Sequence, residues 1–163
     1  MAELKFKNIR DFEKGTIFEI LKQAWSFDER YYQADAETKW RNESDAFFFD
    51  HLSIADTCVF ITTLNEEPIG VVMWDPRELP ERATIGHNGI IPKYKGNGFG
   101  KLQLQEAINR ILQAGAKKIE VSTNLDLIPA RRMYESVGFK ETRREPADNP
   151  VFDDWIFYAY QNL

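Results

Sequence analysis

The chain is short of several things, and each shortage excludes a class of protein. Its 163 residues include one cysteine, Cys58, so no internal disulfide can form. With no secretory leader read at the N-terminus, a reducing, cytoplasmic setting is expected. No apolar run approaches the about 20 residues that cross a bilayer, so no membrane partner is expected. Lys and Arg total 21 against 26 Asp and Glu, a net charge of -5. A nucleic-acid binder needs a basic face, which this balance does not supply. Repeats, low-complexity tracts and interdomain linkers are missing too. No metal is expected. Apolar residues are plentiful, at 43% with 13% aromatic. A chain of this length buries roughly two thirds of its unfolded surface. The expectation is one domain over residues 1–163.

Against the acidic background one stretch stands out, Ile90-Ile-Pro-Lys-Tyr-Lys-Gly-Asn-Gly-Phe-Gly-Lys101. It reads as a strand end, a glycine-rich turn and a helix start. Gly96, Gly98 and Gly100 leave the turn nearly free of side chains, and glycine lets a ligand approach the backbone. A turn that opens a helix also presents unpaired N–H groups at the positive end of the helix dipole, where anions are favoured. Lys93, Lys95 and Lys101 add positive charge, and no acid lies between Lys93 and Gln105. A phosphate loop of the Gly-x-x-x-x-Gly-Lys-Ser/Thr type is excluded, because Leu102 follows Lys101 and no hydroxyl is available for magnesium. A Gly-x-Gly-x-x-Gly dinucleotide turn is excluded by one residue, since its third glycine would fall at Lys101. The plain alternative is a helix start with solvated lysines.

Lys95-Gly-Asn-Gly-Phe-Gly100 resembles the Arg/Gln-x-x-Gly-x-Gly/Ala signature of the GNAT family of N-acetyltransferases, with Lys95 where the family has Arg or Gln. Ile90-Ile-Pro-Lys-Tyr94 resembles the lead-in to that signature. Ala130-Arg-Arg-Met-Tyr-Glu-Ser-Val-Gly-Phe139 resembles the family's Ala-x-x-φ-Tyr-x-x-x-Gly-Phe segment. These matches, in the correct order with one strand between, cover roughly residues 84 to 144.

The resemblance implies a mixed α/β fold. Its central sheet would be mostly antiparallel, with one parallel pair splayed at the cofactor site and helices on both faces. It implies acetyl-CoA as cosubstrate, held by Ile90, Ile91, Lys95, Gly96, Asn97, Gly98, Phe99, Gly100, Lys101, Asn124 and Ala130. The Ile90 N–H is the candidate for polarising the acetyl carbonyl. It also implies direct transfer to a primary amine, a small one by preference. A departure from the pattern lies at Leu127, where the family places an Asn seven residues before the tyrosine; Asn124 is the nearest substitute. The rival readings are a non-catalytic acyl-CoA sensor or interaction module, and a protein or peptide N-acetyltransferase. Homodimer formation is left open.

Along the chain, Leu4–Ile9 alternates as a half-buried strand. Thr16 is the expected N-cap of a helix with Ile17, Phe18, Ile20, Leu21, Ala24 and Trp25 at helical spacing. Helical segments are expected near 29–42 and 45–54, then strands at 56–64 and 69–74 around a turn at Asn65–Pro68. A loop with two prolines follows. Strand 83–91 carries Gly86 and Gly89, which suggest a bulge or close backbone approach. Next come a helix with Leu104, Ala107, Ile108, Ile111 and Leu112 on one stripe, ended by Gly115; a strand at 118–123; the Tyr134 helix; and strands at 139–144 and 153–160.

Acetyl transfer needs a neutral amine, a donor for the oxyanion and a proton for the departing sulfur. By the resemblance Tyr134 is the general acid. His87 or Glu120 is the candidate base, with His51 a third histidine-or-acid option in the aromatic block. The resemblance also implies that Trp25, Tyr31 and Tyr32, with nearby acids, are the candidate acceptor contacts, through cation–π attraction. Each of these aromatics also reads as core packing.

Overall fold

The computed structural model describes residues 2–31 and 35–161. In chain order the described residues form β1 Leu4–Lys7, α1 Thr16–Ala24, α2 Ala36–Lys39, α3 Phe47–Asp50, α4 Leu52–Cys58, β2 Val59–Leu64, β3 Glu67–Asp75, β4 Ala83–Ile90, α5 Phe99–Gln113, β5 Lys118–Asn124, α6 Ile128–Ser136, β6 Lys140–Glu145 and β7 Trp155–Gln161. The strand order is β1-β2-β3-β4-β5-β7-β6. The ladders β1/β2, β2/β3, β5/β7 and β6/β7 are antiparallel and β4/β5 is parallel. This is a mixed α/β fold with a mostly antiparallel sheet and one parallel pair. Among the described residues no helix is long and apolar enough to cross a membrane.

The chain divides into two compact units, one holding the chain through Met73 with His87–Leu104, the other Trp74–Gly86 with Gln105 onward. In the first, α1 buries Ile17, Phe18, Ile20, Leu21 and Ala24. Strands β2 and β3 add Val59, Phe60, Ile61, Ile69, Val71 and Val72 to the core. In the second, Ala107, Ile108 and Ile111 of α5 are buried, as are Ile119, Val121, Tyr134, Phe139, Ile156 and Tyr158.

Three local expectations are corrected. Thr16 is not the N-cap of α1. Gly15 caps it with φ +106°, and the Thr16 hydroxyl donates to the Glu13 carbonyl at 2.7 Å. The helix-start donors are satisfied from a distance by buried Asp45, which accepts from the N–H of Gly15 at 2.9 Å and of Phe18 at 3.0 Å. Asp45 lies in a π-helical segment, Trp40–Ala46, that turns Trp40, Ser44 and Asp45 inward. A carboxylate there also meets the positive end of α1.

The strand expected from Asp56 begins only at Val59. Ala55 and Cys58 bury one helical face, and the Thr57 hydroxyl bonds back to the Ile54 carbonyl at 2.7 Å, closing a helical turn. The hairpin turn is tighter than expected. Asn65 and Glu66 take φ of 49° and 68°, the two-residue turn whose twist suits paired strands, so Glu67 and Pro68 already belong to β3.

The ends of α5 and α6 share one device. Gly115 (φ +94°) follows α5, with the N–H of Gly115 donating to Leu112 and that of Ala116 to Ile111. Gly138 (φ +108°) follows α6, with its N–H donating to Glu135 and that of Phe139 to Tyr134. A left-handed glycine reverses the chain and satisfies the last carbonyls. The Phe139 ring then packs edge-on to Tyr134 at 5.7 Å between centroids. The Tyr-x-x-x-Gly-Phe spacing is therefore a helix stop that fixes the tyrosine ring.

Candidate active site

The glycine turn is built from main chain. Pro92–Tyr94 forms one 3-10 turn, and Gly96 and Gly98 both take φ +81°, a region that L side chains avoid. A Cβ placed at either glycine would meet nothing within 4 Å. Conformation, not crowding within the protein, demands glycine there, and space beside the backbone stays open. The first helical bond of α5 runs from the Leu102 N–H to the Gly98 carbonyl at 3.1 Å. Helix geometry leaves the N–H groups of Gly98, Phe99, Gly100 and Lys101 without intrahelical acceptors. The side chains of Ile90 and Ile91 are buried, which leaves their main chain as what they can offer.

The polar side chains of the turn are partly committed. Asn97 folds back to donate to the carbonyls of Tyr94 at 3.2 Å and Lys95 at 3.3 Å. The Lys95 ammonium donates to the Ala24 carbonyl at the end of α1 and lies 4.1 Å from the Phe27 ring centre. Desolvation there lowers its pKa. The Tyr94 hydroxyl donates to Glu67, which also draws Lys93 to 3.9 Å. Lys101 is exposed at the first turn of α5.

In the same unit the aromatic block meets the strand that leads into the turn. Trp25 packs against Tyr31 (4.6 Å), Phe27 (6.0 Å) and the His87 ring (6.3 Å). The His87 ring keeps some exposure, but its Nδ1 is sealed from solvent with no hydrogen-bond partner. Burial lowers its pKa to about 4, so the ring is neutral at neutral pH. His51 stacks on Phe47 and pairs its Nδ1 with the Phe47 carbonyl at 2.8 Å, at the junction of α3 and α4. Tyr32 lies outside the described residues.

Tyr134, Glu120, Asn124 and Ala130 belong to the second unit. Tyr134 is buried on α6 beside Tyr158, with ring centres 5.9 Å apart. Burial first, then the Tyr158 charge, raises the phenol above its ordinary range. Glu120 is held by Lys118 at 2.8 Å and Arg82 at 3.4 Å. The Lys118 hydrogen bond foremost lowers its pKa, making a well-paired carboxylate and a weak base. Asn124 is fully buried and donates to the Asp153 carbonyl at 2.7 Å, pinning the turn before α6. Ala130 is partly exposed on the first turn of α6. The parallel ladder between β4 and β5 registers Ala83 with Ile119 and Thr84 with Glu120, at the start of a β4 that runs on to Ile90.

Among proteins of known family, the acetyltransferase (GNAT) family model matches residues 16–139. The chain belongs to the GNAT family. A relative is an uncharacterised N-acetyltransferase of Methanocaldococcus jannaschii, 24% identical over 153 residues, covering 85% of this chain and 62% of that protein. The chain spans less than two thirds of the length of the curated relatives it matches. Among solved structures, the NatC complex bound to Gag peptide and CoA contains a chain that matches with TM-score 0.73 at 19% identity, over 99% of both chains. A GNAT acetyltransferase from Elizabethkingia anophelis with acetyl-CoA bound matches with TM-score 0.66 at 15% identity, over 99% of this chain and 98% of that one. At these identities the likeness is one of fold.

Sequence reasoning passed over Gln103, a buried polar side chain beside the strand that leads into the turn. It is fully buried on α5 and hydrogen-bonded to β2, β3 and β4. The signal was a polar residue four places before Ala107, on the helix face that is otherwise apolar.

Proposed function

We propose that this protein is an acetyl-CoA-dependent N-acetyltransferase that moves an acetyl group directly to a primary amine, with residues 1–163 acting as one catalytic domain. The observation that carries this reading is the turn at Gly96 and Gly98, held at φ +81° with open space beside it at the start of α5. It fits a diphosphate, which needs converging N–H donors and no intruding side chain. The family match across residues 16–139 supports the same reading.

The thioester supplies the activated acetyl group. The N–H groups of Gly98 to Lys101 hold the anion, and Lys101 adds charge at the rim. The Ile90 N–H donates to the acetyl carbonyl oxygen, where negative charge develops. The Tyr134 hydroxyl gives its proton to the departing sulfur. His87 is favoured over Glu120 as the group beside the amine, since both Glu120 ion pairs would have to break. A ring with a pKa of about 4 orients and desolvates a neutral amine better than it removes a proton.

The test is calorimetry with coenzyme A, followed by thiol release from acetyl-CoA with panels of small amines and of peptides. Saturable heat and amine-dependent thiol release are expected. Heat without turnover on either panel would favour an acyl-CoA sensor, and no heat would end the reading. Turnover confined to peptides would move the acceptor to a protein N-terminus or lysine.

A further inference from the structure

Gln103 sits where nothing in the acetyl-transfer scheme requires a polar group, yet it is 0% exposed and fully hydrogen-bonded. Its Oε1 accepts from the Thr62 hydroxyl at 2.6 Å. Its Nε2 faces three acceptors: the Val71 carbonyl at 3.0 Å, Asn88 Oδ1 at 2.9 Å and the Gly89 carbonyl at 3.2 Å. The amide orientation is forced, because the flipped amide would set an oxygen against all three. Asn88 in turn donates from Nδ2 to the Gly100 carbonyl at 3.4 Å, on the first turn of α5. Space for this side chain is kept by Gly70, where a Cβ would lie 2.5 Å from Gln103 Oε1 and 2.7 Å from the Gly89 carbonyl oxygen.

The Gly89 carbonyl and the Ile90 N–H belong to one peptide plane and point in opposite directions. In the next peptide, the Ile91 N–H donates to the Ile69 carbonyl of β3 at 2.8 Å. Successive N–H groups alternate along an extended strand, so the Ile90 N–H points away from β3. A donor on the carbonyl end fixes the tilt of the plane. It also withdraws electron density through the amide, which strengthens the N–H at the other end.

We infer that Gln103 is a positioning residue for acetyl transfer, aiming and polarising the Ile90 N–H through its hydrogen bond to the Gly89 carbonyl. The inference rests on the acetyltransferase reading, in which that N–H meets the acetyl oxygen. A role in holding the helix alone would affect coenzyme A binding and stability. The role inferred here affects the thioester carbonyl and leaves the diphosphate contacts in place.

The direct test is the infrared band of acetyl-CoA labelled with carbon-13 at the carbonyl, bound to the wild type and to Gln103→Met. In the wild type the bound band falls below that of the free thioester. In Gln103→Met the band returns toward the free position, while the Kd for coenzyme A stays within about threefold. With a working acceptor, kcat falls about tenfold, less than the 10²–10³ that follows complete removal of an oxyanion donor. An unchanged band in a folded Gln103→Met protein overturns the inference. So does a coenzyme A Kd that rises in step with the loss of kcat.

A wild-type measurement needs no variant to fold. The side-chain amide protons of Gln103 are followed by NMR as acetyl-CoA, or coenzyme A without the acetyl group, is added. A shift with acetyl-CoA alone supports the relay through the Gly89–Ile90 peptide. Equal responses to both ligands refute it. If neither ligand binds the wild type, the acetyltransferase reading itself has failed, an outcome separate from both of these.

Discussion

Replacing His87 with Phe should flatten the acid side of the stability profile. The ring is neutral in the folded protein down to a pKa of about 4, because burial opposes the charge, whereas the unfolded ring titrates near its ordinary 6.5. Between those values the unfolded chain binds the proton and the folded chain does not. Stability is then lost as pH falls, and nothing is gained or lost above 6.5. Each pH step is worth 1.36 kcal/mol, so the whole window amounts to about 3 kcal/mol and a drop from about pH 7 to about pH 5 to about 2 kcal/mol. Part of the ring still meets solvent, which makes these figures ceilings. Phe keeps a flat ring against Trp25, 6.3 Å away in the wild type, and removes the titrating nitrogen. Urea unfolding at several pH values between about 7 and about 5 would measure the difference, since most carboxylates titrate below that range. The wild type should lose about 1 to 2 kcal/mol relative to the variant as pH falls. Parallel profiles would refute the argument, as would an NMR titration placing the His87 ring near 6.5.

Other perturbations separate ligand effects from fold effects. Gly98→Ala forces a side chain onto φ +81° and should cost about 1 kcal/mol in urea unfolding, with coenzyme A affinity in calorimetry falling by at least about tenfold. Unchanged affinity would remove the turn from the cofactor site. Tyr134→Phe keeps the ring that packs on Phe139, so melting temperature and coenzyme A affinity should hold while turnover falls by about 10² or more; full turnover would dismiss the acid role. Asp45→Ala strips the acceptor from the N–H groups of Gly15 and Phe18 and should cost about 2 to 3 kcal/mol in unfolding free energy. A loss under about 0.5 kcal/mol would mean that water caps α1 equally well.

The strands, the glycine turn and α5 were legible because each has a local cause. Period-two alternation, glycines at left-handed positions and an apolar stripe depend on neighbours a few residues away. The stripe held for Leu104, Ala107, Ile108 and Ile111, with Leu112 at its half-exposed edge. What escaped was set by residues remote in sequence. Asp45 displaces Thr16 as the cap of α1 across a separation of 30 residues from Gly15. Gln103 reaches back 41 residues to Thr62. Gly70 reads as an ordinary strand glycine until Gln103 and the Gly89 carbonyl are seen to fill the space beside it. The helix through Cys58 escaped for another reason, because β-branched and aromatic residues from Val59 onward pull the sequence pattern toward strand.

The aromatic block shows why the acceptor was the least legible part. Rings and acids in the sequence suggested a seat for a cationic amine. In the structure Tyr31 of that set, and the Phe27 and Phe18 rings of the same unit, already carry the chain's own cations. The Arg30 guanidinium lies 5.9 Å from the Tyr31 ring centre, Lys95 lies 4.1 Å from Phe27, and Arg41 lies 3.9 Å from Phe18. Asp28 is bound to Arg30, whose hydrogen bonds lower its pKa. A protonated amine arriving here would displace an internal cation from a ring or approach it at close range, and either costs electrostatic energy. A neutral amine pays neither cost, and neutral is the form that attacks a thioester. If this holds, raising the salt concentration should leave the acceptor KM nearly unchanged, because the reacting species carries no charge to screen. A KM that climbs steeply with salt would instead mean that charge steers the acceptor, and that acids outside this block do the steering.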